Sequence, residues 1–191
     1  SECKDCSIKD NLKCHFQKRY LLSFFFSFVL FVIPSFVGVI LAGYGWFLLG
    51  WIGFWIFFFE FWEIRILCSH CPFYAEKGKT LHCIANYGSY KVWRYHPEPM
   101  NLSEKVQLII GFIILGGYPF IFLILGSQYI FFILSTIGLC IFVVFLTVRR
   151  CSSCVNLSCP FNRVTKSVIN DFLRRNQIMR KAWEEHGYNV D

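Results

Sequence analysis

Nine of the ten cysteines in the chain fall into three groups of one form, a C-x2-C pair followed by one more cysteine. They are Cys3, Cys6 and Cys14; Cys68, Cys71 and Cys83; and Cys151, Cys154 and Cys159. Two sulfurs three residues apart can grip one tetrahedral ion, so each pair has the form of a zinc half-site. One such pair is weak evidence; three are strong. His15, His70 and His82 stand beside Cys14, Cys71 and Cys83 and add ligand capacity. Nine thiols do not divide evenly into four-sulfur sites. Cys68/Cys71 and Cys151/Cys154 emerge at similar depth from their helices and are expected to share an ion, with the N-terminal group clipping onto Cys83 or Cys159. The tenth, Cys140, lies inside an apolar run and reads as a small packing residue.

Two other chemistries compete with zinc. Cys71-Pro72-Phe73 and Cys159-Pro160-Phe161 put proline after cysteine, as iron–sulfur ligand runs often do, though neither follows the C-x2-C-x2-C-x3-C-P spacing. The chain is similar, in outline only, to membrane-bound polyferredoxins. The second competitor is a redox dithiol. Quinone-using, disulfide-forming enzymes with four helices resemble this chain in span number and in C-x2-C. Here, however, the thiols are too many and too gathered. Cys68 and Cys151 also follow helix C-termini, whose partial negative charge does not activate a thiol, although Arg65, Arg149 and Arg150 could offset it.

The elements that must position these residues are apolar. Hydrophobic residues make up 55% of the 191, charged residues only 16%, and phenylalanine alone fills 23 positions. Two runs, Tyr20 to Phe59 and Val106 to Val148, carry no Asp, Glu, Lys or Arg. A helix needs about 20 apolar residues to cross the hydrocarbon layer, so each run holds two crossings and a turn. The spans are expected near Tyr20–Leu41, Trp46–Leu67, Val106–Leu125 and Tyr129–Val148, joined by glycine-bearing turns at 42–45 and 126–128. The first span is too long, and too near a second, for a cleaved signal peptide.

The expected fold is an all-α integral membrane protein of four transmembrane helices in two hairpins, with a Cys-rich metal-binding cap and a C-terminal amphipathic helix. Its parts are an N-terminal cluster (1–19), hairpin 1 (20–67), a Cys-rich loop (68–105), hairpin 2 (106–148), and a second cluster with the tail (149–191). All 19 Lys and Arg lie in the first, third and fifth parts or at their helix borders. Such residues are retained on the cytoplasmic side, so both termini and the cap are expected in the cytosol, with the plasma membrane as the host bilayer. Stable disulfides are rare there, which turns the reading of the thiols towards metal.

Further expectations concern polar residues near the spans. Glu60 and Glu63 are three apart at the end of the second span, where carboxylates are costly and often functional. Asn101 and Glu104 form a capping-box pattern opening the third helix. The aromatic, basic loop 86–100 suits the headgroup layer. In the tail, Val164, Val168, Phe172, Met179 and Trp183 make an apolar stripe that could lie on lipid, cover the cysteines or bind a partner. The basic residues of the tail are diluted by Asp171, Glu184 and Glu185, so no nucleic acid partner is expected. The bilayer is one expected partner and a protein on the cytosolic face another. The functional reading is an accessory subunit or docking platform with zinc sites. An iron–sulfur electron-transfer subunit and a quinone-linked thiol oxidoreductase are the alternatives. No nucleophile–base arrangement stands out as catalytic.

Overall fold

The computed structural model describes residues 8, 11–13, 17–83 and 86–190. Among them the chain is all-helical. No β-strand forms, and the isolated bridge between Thr80 and Tyr90 is the extent of β pairing. Four helices are long and apolar enough to cross a membrane: Lys18–Leu41, Phe47–His70, Leu102–Leu125 and Tyr129–Ser153. In regular α-helix these are α1 (Lys18–Leu41), α2 (Phe47–Phe57), α3 (Glu63–Ile66), α4 (Leu102–Leu125) and α5 (Tyr129–Arg149). A π-helical turn, Phe58–Trp62, separates α2 from α3 inside the second span. The turns after α1 and α4 reverse through Gly43 (φ 83°) and Ser127 (φ 54°).

Sequence neighbours are not the main packing partners. α1 packs most extensively on α5, and α2 with its π-turn lies against α4. Small residues let the backbones close up. Gly138 sits directly on the Leu30 carbonyl, and Ser35 Oγ donates to Ser135 Oγ at 3.0 Å with both side chains buried. Across the other pair, the Phe58 ring nests on the bare backbone of Gly111. Such contacts replace the hydrophobic driving force that lipid cannot supply.

Two prolines are built into the spans. Pro119 has no N–H for the carbonyl of Leu115, four residues earlier in α4. Trp51 Nε1 donates to that carbonyl at 2.9 Å from the neighbouring α2. A backbone acceptor orphaned by proline is thereby satisfied from another helix, as a segment crossing lipid would require. Pro34 in α1 frees the Leu30 carbonyl in the same way, and there Gly138 comes into close contact.

The capping box forms as expected: Asn101 Oδ1 accepts from Glu104 N (2.9 Å) and Glu104 Oε2 accepts from Asn101 N (3.0 Å). The tail departs from the single helix expected. It makes two, α6 (Lys166–Arg175) and α7 (Gln177–Glu185), broken at Asn176. Asn176 has φ −109° and ψ 86° and its side chain accepts from Met179 N, so it starts a new helix rather than continuing the old one. The break lets Leu173, Met179 and Trp183 all bury in one core.

Candidate metal centre

The N-terminal segment, the central loop and the tail pack against each other. Ile8, Leu12, Cys71, Val155, Leu157, Leu173, Met179 and Trp183 form one buried apolar cluster. Polar bonds tie the same parts. Lys13 N donates to Ser153 O (2.9 Å), Asn156 Nδ2 to Leu67 O (2.9 Å), and Trp183 Nε1 to Pro97 O (3.1 Å). The apolar stripe of the tail therefore covers the cysteine-bearing segments.

Cys68 lies on a short 3-10 turn, Cys68–His70, that ends the second span, Cys71 caps that turn, and both are buried. Cys151 opens a matching 3-10 turn, Cys151–Ser153, after α5. Cys83, Cys151, Cys154 and Cys159 are half-buried. Burial raises the Cys71 thiol well above its ordinary value, and the charges of Cys83, Cys154 and Cys159 raise it further. Cys154 and Cys159 are each pushed up to about 12, chiefly by burial. The charges of Cys83, Cys159 and Cys151 add to this at Cys154, and those of Cys151 and Glu63 at Cys159. Cys71, Cys83 and Cys154 thus lie within electrostatic reach of one another, although they come from two separate segments. Without a cation such thiols hold their protons. A divalent ion among them reverses that preference, because coordination deprotonates a thiol outright.

Among the described residues, no three His, Cys, Asp or Glu side chains converge closely enough to hold a metal ion. Cys3, Cys6, Cys14 and His15 lie outside the described residues. Lys13 is bonded to Ser153, next to Cys154, and its ammonium lies within reach of the Cys154 charge.

The histidines take different places. His70 is buried, and its Nδ1 lies 2.7 Å from the Glu98 carbonyl; a carbonyl only accepts, so Nδ1 carries a proton. Its Nε2 stands 3.3 Å from Glu104 Oε2 without hydrogen-bond alignment. Any ligation by His70 would use a nitrogen that faces Glu104. The His82 ring packs on Tyr87, with centroids 5.7 Å apart.

Glu60 and Glu63 are held by loop side chains, not by lysine or arginine. Ser89 Oγ donates to Glu60 Oε1 at 3.0 Å, and Asn86 Nδ2 donates to Glu63 Oε2. Asn86 also reaches Cys68 Sγ at 3.2 Å, so one buried amide links a carboxyl group to a thiol. Loop 86–100 does more than lie along headgroups. Tyr74 Oη donates to Trp93 O (2.7 Å) and accepts from Trp93 N (2.8 Å), and His96 N donates to Ser69 O (2.9 Å). Asn86, Ser89 and Asn156 carry no spacing signal; only their contacts mark them. No protein-family model, curated protein or solved structure matches the chain.

Proposed function

We propose that this is a four-span membrane protein whose N-terminal segment, central loop and tail form a zinc-stabilised cap on the cytosolic face, serving as a docking platform or accessory subunit. The observation that carries the reading is the single core shared by Ile8 and Leu12, Cys71, and Val155 and Leu157 beside Cys154; Cys71, Cys83 and Cys154, whose charges act on one another, are the proposed first three ligands. Three thiols leave a tetrahedral ion one ligand short. Lys13, the residue before Cys14 in the sequence, is hydrogen-bonded through its backbone to Ser153. Cys14 is the proposed fourth ligand, and Cys68, Cys151 and Cys159 are candidates for a second ion. Coordination would draw the thiols together and fasten the three segments across the end of the bundle. The plasma membrane is the proposed location.

The burial of Cys68 and Cys71 argues against a thiol oxidoreductase, which needs accessible thiolate near neutral pH. Metal analysis of anaerobically purified protein tests the reading. Colourless protein with stoichiometric zinc, lost on Cys154→Ser, supports it. Brown protein with iron and sulfide replaces it with the electron-transfer subunit, and metal-free protein defeats both.

A further inference from the structure

The seam between α1 and α5 carries a feature independent of the thiols. Lys13, Arg19 and Arg150 all face the ring of Tyr20, with their charged groups 5.2, 5.1 and 4.7 Å from its centroid. Arg150 donates to the Tyr20 carbonyl (3.4 Å) and to Ser23 Oγ, and Lys13 Nζ donates to the Arg149 carbonyl. Three cations therefore gather on one ring, and Arg149, whose charge also acts on Lys13 and Arg150, is the fourth at that end of the two helices. Among the described residues none of the four forms an ion pair; the carboxylates that do pair are Glu98, Glu104, Asp171 and Glu184, with other partners. Positive charges held together with no acid paired to them among the described residues repel one another, and a multivalent anion relieves that repulsion.

The same two helices carry an apolar groove of ≈ 390 Å³, walled by Leu30, Ile33 and Pro34 of α1 and by Leu134, Gly138 and Ile141 of α5. Arg19 precedes Leu30 by eleven residues, and Arg149 follows Gly138 by eleven. Eleven residues make about three helical turns, so each arginine stands in line with its own groove wall, about 16 Å along the axis. That is about half the thickness of a hydrocarbon core, the depth of one leaflet. The cations sit at the ends of the apolar runs, beside Tyr20, where a bilayer presents its headgroups.

We propose that the α1–α5 face binds an anionic phospholipid, its phosphate among Lys13, Arg19, Arg149 and Arg150 and one acyl chain in the groove. A free phosphate meets the same cations but gains nothing from the groove. A zwitterionic lipid fills the groove but brings a cation of its own to the cluster.

The test uses the full chain in a neutral detergent, with thermal unfolding and lipid binding followed during titration with phosphatidylglycerol, with phosphatidylcholine of the same acyl chains, or with inorganic phosphate. Phosphatidylglycerol should raise the unfolding temperature and bind saturably, and the other two should do neither at equal concentration. The double variant Arg19→Gln/Arg149→Gln alters two exposed side chains. It should bind phosphatidylglycerol about thirty-fold more weakly, with helix content by circular dichroism unchanged. Ile33→Trp, which fills the groove and spares every cation, should weaken it as well. Equal protection by phosphatidylcholine or by inorganic phosphate overturns the proposal. So does undiminished phosphatidylglycerol binding by the double variant.

Discussion

Gly138→Ala gives the sharpest test of how the bundle is held. A Cβ placed on Gly138 falls 2.3 Å from the Leu30 carbonyl oxygen, 2.6 Å from its carbon and 2.8 Å from Phe31 N. All three are backbone atoms of α1, so no rotamer change relieves the clash. Reaching an ordinary contact near 3.4 Å requires the two helices to part by about 1 Å. This is the most extensive helix contact in the molecule, and it includes the Ser35–Ser135 bond at 3.0 Å. Overpacking of this kind costs about 1–3 kcal/mol, and loss of a buried hydroxyl bond in a membrane protein adds about 0.6 kcal/mol. Gly117→Ala is the control, because nothing lies within 4 Å of a Cβ there. Both changes gain the same intrinsic helix preference, so it cancels in the comparison. Reversible unfolding in mixed micelles should find Gly138→Ala less stable than Gly117→Ala by about 2 kcal/mol, within the range for overpacking. Equal stabilities would refute the close α1–α5 approach. Pro34→Ala should not rescue Gly138→Ala, since it restores a bond within α1 and leaves the overlap.

Two more outcomes follow from particular contacts. Trp51→Phe should cost about 1–2 kcal/mol, because it strands the Leu115 carbonyl that Pro119 cannot serve; Pro119→Ala in the same chain should recover part of the loss in the same unfolding assay. The second concerns pH. In chelator-treated protein, Cys71, Cys154 and Cys159 hold protons that the unfolded chain gives up above about pH 8.5. Their folded pKa values are raised, so their contribution is complete below that pH and fades as pH rises towards about 12. Denaturant midpoints measured across that window should fall, and Cys154→Ala should flatten the decline. A midpoint that rises with pH would contradict the burial of these thiols.

The amino-acid sequence by itself determined four helices long and apolar enough to cross a membrane. Forty consecutive residues without charge leave few other folds open, and the ends of α1, α4 and α5 come within a few residues of the apolar boundaries. The capping box at Asn101 was legible for the same reason: it is a local bond between residues three apart. The π-turn at Phe58–Trp62, the break at Asn176 and the pairing of α1 with α5 were not. Each depends on what lies opposite, such as a glycine that admits a ring or a core that draws Met179 and Trp183 inward.

The thiols divide along the same line. Their C-x2-C spacing was plain in the chain, and the metal reading rests on it. That Cys71, Cys83 and Cys154 come within reach of one another, while His70 turns its Nε2 to Glu104, was decided by tertiary packing. The same holds for Glu60 and Glu63, whose partners Ser89 and Asn86 are neutral and 29 and 23 residues away. Spacing along a chain fixes which residues can share a helix face or a local turn. Which distant residues meet depends on how the helices pack, and that is settled by the steric fit of whole surfaces.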